Sequence, residues 1–291
     1  MPWIVRGLRD GIVTTRYPRR PDGYGDGYRA AVRVVDARPP VPGEASSLAG
    51  MCPTAAIDTS GGVVAVDRGK CIVCGACVEQ RPDRFAFEPS PEVAASARRA
   101  LVVGSSGHAG ALGAEDDAAV EEARAELARR VRVLRRSVHV RHVDAGSDGS
   151  EEWEVNALLN PVYDVHRLGV FFTASPRHAD LLLVTGVGTA AMAGPLRRTW
   201  EAMPDPKIVL AAGTDAVSGG LVQPTYASGA GIAAIVPVDV WVPGSPPSPF
   251  SLLHGILLAV GLLPRDRGAT AAIPDRRRRA GTRASGRTAV R

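Results

Sequence analysis

Cys71, Cys74 and Cys77 lie in the run Cys71-Ile72-Val73-Cys74-Gly75-Ala76-Cys77, and a fourth cysteine, Cys52, stands upstream in front of Pro53. Three thiols at C-x2-C-x2-C spacing can turn about one inorganic cube, and the small Gly75 eases the turn. A [4Fe-4S] cluster needs four thiolates, and in the run C-x2-C-x2-C-x3-C-P the last cysteine serves a second cluster whose other ligands lie in another run. Here Arg81 occupies that last place, followed by the expected Pro82. Cys52-Pro53 reads as the tail of an earlier run whose first three ligand positions, counted back, are Pro42, Ala45 and Leu48. Cys52, Cys71, Cys74 and Cys77, the whole cysteine content of the chain, are therefore expected to hold one [4Fe-4S] cluster, while a second has lost its local ligands and its crossed-over one together. A structural zinc on the same thiols, or a site holding nothing, is the alternative. Zinc sites usually show two separated C-x2-C pairs rather than three cysteines in a row and a remote Cys-Pro. Met1-Pro2-Trp3-Ile4-Val5-Arg6 lacks signal-peptide character, so a reducing cytoplasm is expected and disulfides are not.

The elements that must carry these thiols are short. Ala31 to Val35 and Val63 to Val66 read as β-branched strands, each ahead of a cysteine-bearing segment, in a small ferredoxin-like α+β unit whose folding a bound cluster would support. Beyond it, Gly104 to Gly110 has linker composition, and Asp116 to Arg136 is an Ala/Glu/Arg-rich helix, acidic early and basic late as the helix dipole favours. From Ser137 to Leu263 the pattern becomes α/β. Gly169 to Thr173, Asp180 to Gly186, Lys207 to Gly213 and Ile235 to Val238 read as buried strands, separated by helical stretches such as Ala190 to Met203. That alternation predicts a parallel, flavodoxin-like sheet with helices on both faces. Its ligands belong at the carboxyl ends of the strands, in the loops Ala145 to Glu154, Thr185 to Thr189, Gly213 to Gly220 and Pro243 to Pro249.

The chain of 291 residues, 45% hydrophobic, is long enough for two cores. Its formal charge of +5 is an uneven average, because the tail from Pro264 carries Arg265, Arg267, Arg276 to Arg279, Arg283, Arg287 and Arg291 against Asp266 and Asp275. The body is slightly acidic, which argues against a nucleic-acid partner. No segment reaches the roughly 18 to 20 apolar residues that span a bilayer, and Leu252 to Leu263 reads as a buried helix. The chain is expected to divide into an extended docking arm (1–30) that lies on another subunit through Trp3, Tyr17, Tyr24 and Tyr28, the ferredoxin-like unit (31–90), a linker and bridging helix (91–137), the α/β domain (138–263) and a basic tail (264–291).

Several ordered motifs carry a family likeness. His142-Val143-Asp144-Ala145-Gly146-Ser147, Glu154 to Asp164, Ala174-Ser175-Pro176-Arg177-His178-Ala179-Asp180, Met203-Pro204-Asp205-Pro206-Lys207 and Val238 to Pro249 resemble the cluster-bearing small subunit of membrane-bound group 4 [NiFe] hydrogenases and its complex I-type counterpart. The front third, with its Thr14-Thr15-Arg16-Tyr17-Pro18 arm, resembles the ferredoxin-like subunit of the same assemblies, so the chain looks like a fusion of two neighbours. The resemblance implies a terminal [4Fe-4S] cluster in the rear domain, yet Asp148, Glu151, Asp215 and Ser245 stand where its four cysteines would be. Hard oxygen donors do not hold an iron–sulfur cube, so the terminal cluster is expected to be lost. Those oxygens could bind a hard cation or take up protons, or simply face water or an arginine of a partner, with Arg177 as a local counter-charge.

The implied role is an electron-transfer subunit with one [4Fe-4S] cluster, in a complex I-like or group 4 hydrogenase-related oxidoreductase on the inner face of the cell membrane. Its partners would be a hydrogenase large subunit or complex I 49 kDa-like subunit and the membrane-arm subunits, with no membrane span of its own. The alternative is a non-redox structural or coupling subunit of the same kind of complex. No self-contained active site is legible.

Overall fold

The computed structural model describes residues 2–20, 28–36, 38–104, 137–222 and 224–263, with a few positions between 122 and 132. The bridging helix, the basic tail and Tyr24 lie largely or wholly outside the described residues.

A short N-terminal helix, α1 (Pro2–Asp10), precedes the front unit, in which β1 (Ala31–Val34) leads into α2 (Glu44–Gly50). Then come β2 (Ile57–Asp58), β3 (Ala65–Asp67), α3 (Ala76–Gln80) and β4 (Phe85–Glu88). Strand β1 pairs antiparallel with β4, setting Val32 opposite Phe87 and Val34 opposite Phe85. Period-two alternation sends Val32 and Val34 inward, with Leu48, Ile57, Val66 and Phe85, to make a small core against which Cys52, Cys71 and Cys77 pack.

Residues 91–104, which composition assigns to a linker, are built into the fold. Ala95 makes an antiparallel bridge with Trp241 of the rear domain. A 3-10 turn follows at Arg98–Leu101, and β5 (Val102–Gly104) then completes a three-stranded antiparallel sheet in the order β2-β3-β5. Leu101 and Val103 are buried, and that apolar burial holds the segment down.

The rear domain contains β6 (Val138–Asp144), α4 (Ser150–Ala157), β7 (Val170–Phe172), β8 (Leu181–Thr185), α5 (Ala190–Glu201), β9 (Ile208–Ala212), α6 (Thr214–Ser218), β10 (Val240–Val242) and α7 (Pro249–Ala259). The five strands are all parallel, in the order β10-β9-β8-β6-β7. This is the doubly wound order whose switch point falls between β6 and β8, where the loops leave in opposite directions and a crevice opens. Strands β8 and β9 are buried at every residue, as a sheet covered on both faces requires.

Two expectations are corrected here. Ile235 to Val238 is not a strand: β10 begins at Val240, after Asp239, which accepts a hydrogen bond from Val209 N at 2.8 Å and returns one from its own N–H to Val209 O at 2.9 Å. Pro237 has no N–H to give a ladder, so pairing starts beyond it. The arm, in turn, is not extended throughout: it opens with α1, where Trp3 stays exposed, and through Thr15, Tyr17 and Tyr28 it packs on its own chain. Thr15 N donates to Val162 O at 2.8 Å, Arg167 donates to Tyr17 O at 2.6 Å, and Tyr17, Tyr28 and Tyr163 meet the Phe250 ring edge-on at 6.0, 6.2 and 5.0 Å between centroids. Phe250 is available to them because α7 opens with Pro249 under the Ser248 cap.

Candidate metal centre

All four thiols line one pocket, together with apolar side chains that include Val32, Ile57, Val66 and Ile72. Cys52 follows α2 in a tight turn in which Ala55, at φ 50°, lets Ala56 N donate to Cys52 Sγ at 3.2 Å. Cys71 follows β3, and Val73, at φ 55°, brings its own N–H to 3.4 Å from Cys71 Sγ. A β-branched residue in the left-handed region is strained, and here the strain turns a backbone donor toward sulfur. Gly75, at φ 82°, opens α3, and a methyl placed there would lie 2.9 Å from the Phe87 ring.

Burial pushes the Cys71 thiol up to about 12, with Cys77, Cys52 and Cys74 adding repulsion, and burial raises Cys77 as well. Four mutually repelling thiolates in an apolar pocket need a positive centre to become ligands, so metal binding must displace their protons. The donor set, the apolar lining and the N–H groups aimed at sulfur fit an iron–sulfur cluster. Among the described residues no three Cys, His, Asp or Glu side chains gather closely enough to hold a single ion.

The positions without cysteine are filled otherwise. Leu48 is fully buried in the core. Arg81 donates to Glu44 at 2.6 Å and to Asp83 at 2.7 and 2.9 Å, and the buried Arg84 donates to Glu44 at 2.8 Å while its guanidinium lies 3.2 Å from Asp36. Arg81, the Val41 N–H and Arg84 hold the Glu44 carboxyl at about 2, far below the usual carboxylate range. This ion network clamps α2 to the turn after α3.

The front pocket sits directly on the carboxyl ends of the rear strands. Thr214, first residue of α6, donates from its hydroxyl to Cys71 O at 3.1 Å and receives Gly244 N at 3.2 Å. Around this clasp lie the four oxygen-bearing positions Asp148, Glu151, Asp215 and Ser245. Glu151, in the first turn of α4, is wholly buried, and a methyl on Gly213 would lie 2.5 Å from its Oε1. Burial raises its pKa to about 7, and Asp215 and Asp148 add to the rise. Asp215 is raised by burial and by Asp148. Asp148 is itself lowered by its hydrogen bonds from Ser150 and stands exposed. Ser245 is half-buried in the loop after β10. Arg177 is exposed on the 3-10 turn before β8.

Sequence reasoning missed a second polar group at the β6/β8 switch point. Glu152 accepts from Ser147 Oγ at 2.6 Å and from the Thr185 hydroxyl, and His142 Nε2 lies 3.0 Å from Thr185 Oγ1. Burial lowers the His142 pKa, so the ring is held neutral. Only the strand register, which sets His142 opposite Leu183 and Asp144 opposite Thr185, brings these side chains together.

A doubly wound parallel sheet with a four-thiol ferredoxin-like module seated on its ligand-binding edge defines an iron–sulfur subunit of the oxidoreductase type. The family model described as NADH ubiquinone oxidoreductase, 20 kDa subunit, matches residues 149–259, and a 4Fe-4S single cluster domain matches residues 64–126. The latter takes in Cys71, Cys74 and Cys77 but not Cys52. Formate hydrogenlyase subunit 7 of Escherichia coli is 45% identical over 130 residues, which are 45% of this chain and 51% of that one. The probable membrane-bound hydrogenase subunit mbhJ of Pyrococcus furiosus is 42% identical over 46% of this chain and 80% of its own length. An NADH-quinone oxidoreductase subunit of Rhizobium etli is 45% identical over 39% of this chain and 68% of its own. A solved membrane-bound sulfane sulfur reductase from an archaeal respiratory complex aligns at 30% identity and a TM-score of 0.41, covering 46% of this chain and 73% of that one. The chain belongs to the family of the NADH ubiquinone oxidoreductase 20 kDa subunit, with a 4Fe-4S domain ahead of it, and it spans about half the length of the E. coli relative.

Proposed function

We propose that this chain is the electron-transfer subunit of a complex I-like or group 4 hydrogenase-related oxidoreductase, carrying one [4Fe-4S] cluster on Cys52, Cys71, Cys74 and Cys77 and none in the rear domain. The observation that carries the reading is the convergence of all four thiols on one pocket, with backbone N–H groups turned to the sulfurs of Cys52 and Cys71. A bound cluster supplies one-electron chemistry; the chain supplies the thiolates, the apolar wall and the N–H donors that tune them. No described helix is long and apolar enough to cross a membrane. Membrane association on the inner face would then run through partner subunits, a large subunit of the hydrogenase or complex I 49 kDa kind and the membrane arm. The rear loops offer Asp148, Glu151, Asp215 and Ser245 in the four places where the family resemblance implies cysteine, and these hard donors do not suit iron and sulfide.

Anaerobic purification followed by EPR of the dithionite-reduced chain tests this. One paramagnetic centre per chain is expected; a zinc-loaded or metal-free protein overturns the redox claim. The second reading, a structural or coupling subunit that passes no electrons, is favoured by the same loss of soft donors in the rear loops. A partner large subunit stripped of its Ni-binding cysteines and quinone pocket would support it.

A further inference from the structure

The buried carboxyl of Glu151 takes no part in holding the cluster. Its residue is fully excluded from solvent, and Oε1 has no hydrogen-bond partner among the described residues. Its other oxygen is less isolated. Ser150 Oγ lies 3.1 Å from Glu151 Oε2 and 2.6 Å from Asp148 Oδ1, and Asp148 is exposed. A serine hydroxyl has one hydrogen and cannot donate to two carboxylates at once. Both contacts are satisfied together when Glu151 is protonated: Oε2–H donates to Ser150 Oγ, and Ser150 O–H donates to Asp148. The three groups form a hydrogen-bonded relay from solvent to a buried acid.

The far end of that relay reaches the thiol pocket. Gly213, against which Glu151 Oε1 packs, precedes Thr214, and the Thr214 hydroxyl holds the Cys71 carbonyl at 3.1 Å. The charged or titratable groups that face Glu151 are Asp215 from α6 and Asp148 from the loop after β6; the Cys71 loop is reached through Gly213 and the bond from the Thr214 hydroxyl to Cys71 O. Both acids are anionic or become so. Negative charge added to the thiol pocket therefore raises the cost of a charged Glu151.

We propose that Glu151 is a proton-binding site coupled to the four-thiol centre, taking up one proton through Ser150 and Asp148 as one electron arrives there from a low-potential one-electron donor. The donor is oxidised by one electron, the proton comes from water, an O–H bond forms on Glu151, and no other bond changes. Departure of the electron reverses each part. The inference rests on the electron-transfer reading. Burial places Glu151 near the pH at which such exchange is useful, at about 7.

The test is an EPR-monitored redox titration of the full chain over roughly pH 5.5 to 8.5, with dithionite as reductant, paired with reduced-minus-oxidised infrared difference spectra. In the wild type the midpoint potential is expected to fall as pH rises, with a protonated-carboxyl band gained on reduction. In Glu151→Gln both the slope and the band are expected to vanish. In Ser150→Ala the slope is expected to remain while proton uptake, followed with a pH indicator after rapid reduction, slows several-fold. An EPR signal with a wild-type slope in Glu151→Gln overturns the proposal, and unchanged uptake in Ser150→Ala overturns the relay. Absence of an EPR signal in every variant would overturn the electron-transfer reading and this inference with it.

Discussion

At the scale of single residues, the thiol pocket is made by backbone conformations that cost free energy. Ala55 and Val73 sit at positive φ, and each N–H so turned, or the one following it, points at a cysteine sulfur. Such strain persists where the surroundings over-determine it, and these turns surround the pocket that the four thiols line. Replacing Cys71 with Ala is expected to abolish bound iron and the visible absorbance of the purified chain; full retention of iron would remove Cys71 from the ligand set. Glu151 gives a prediction of opposite chemistry. Its folded pKa, about 7, lies above the ordinary carboxyl value, so its contribution to stability is complete below about 4.5 and is lost as pH rises through 7. The loss is on the order of 3 kcal/mol. Glu151→Gln is expected to flatten this fall and leave the variant more stable than wild type at pH 8, as read by chemical denaturation at both ends of the range. The spacing of the cysteines was fully legible from the chain, because ligand geometry fixes it locally. The His142–Thr185–Glu152 group was not, because it exists only through the pairing of β6 with β8.

At the scale of elements, two joints hold the pocket in place. The first is the ion network of Arg81, Arg84, Glu44, Asp36 and Asp83, which occupies ground that a second cluster's ligands would need. Removing one partner from such a network leaves a buried guanidinium unpaired. Glu44→Gln is expected to lower the melting temperature and Glu44→Ala to lower it further, and a Glu44→Gln variant as stable as wild type would show that the charge contributes nothing. The second joint is α7 on the sheet edge: a methyl on Gly255 would lie 2.3 Å from Val242 Cγ2. Gly255→Ala is expected to push α7 off β10 and cost about 1–3 kcal/mol, measurable by thermal unfolding. Helix α7 was legible as an apolar stretch, and β8 and β9 as buried runs. Strand β10 was misplaced, because Ile235 and Val236 look like a strand until the missing N–H of Pro237 and the Asp239 contacts with Val209 are considered.

At the scale of the whole molecule, front and rear domains are joined where the chemistry is. Thr214 ties Cys71 to the strand ends, and Ala95 pairs with Trp241 along the sheet edge. Arg98, held to Asp67 by two bonds at 2.7 and 2.8 Å, closes the same seam beside Gly69 and Val217. The fusion of two units was legible from the change of pattern along the chain. The seam was not, since residues 91–104 have the composition of a connector and reveal their role only by pairing with β3 and Trp241. The arm misled for a related reason: Tyr17 and Tyr28 are anchors of the kind that serve interfaces, but Phe250 of the same chain receives them.

The central claim, that the sulfur of this chain suffices for one cube in front and none behind, is tested most directly by counting iron and acid-labile sulfide in the anaerobically purified chain. About four of each per chain are expected. About eight of each, which would require a second cube among the rear loops, or zinc in place of iron, would contradict it.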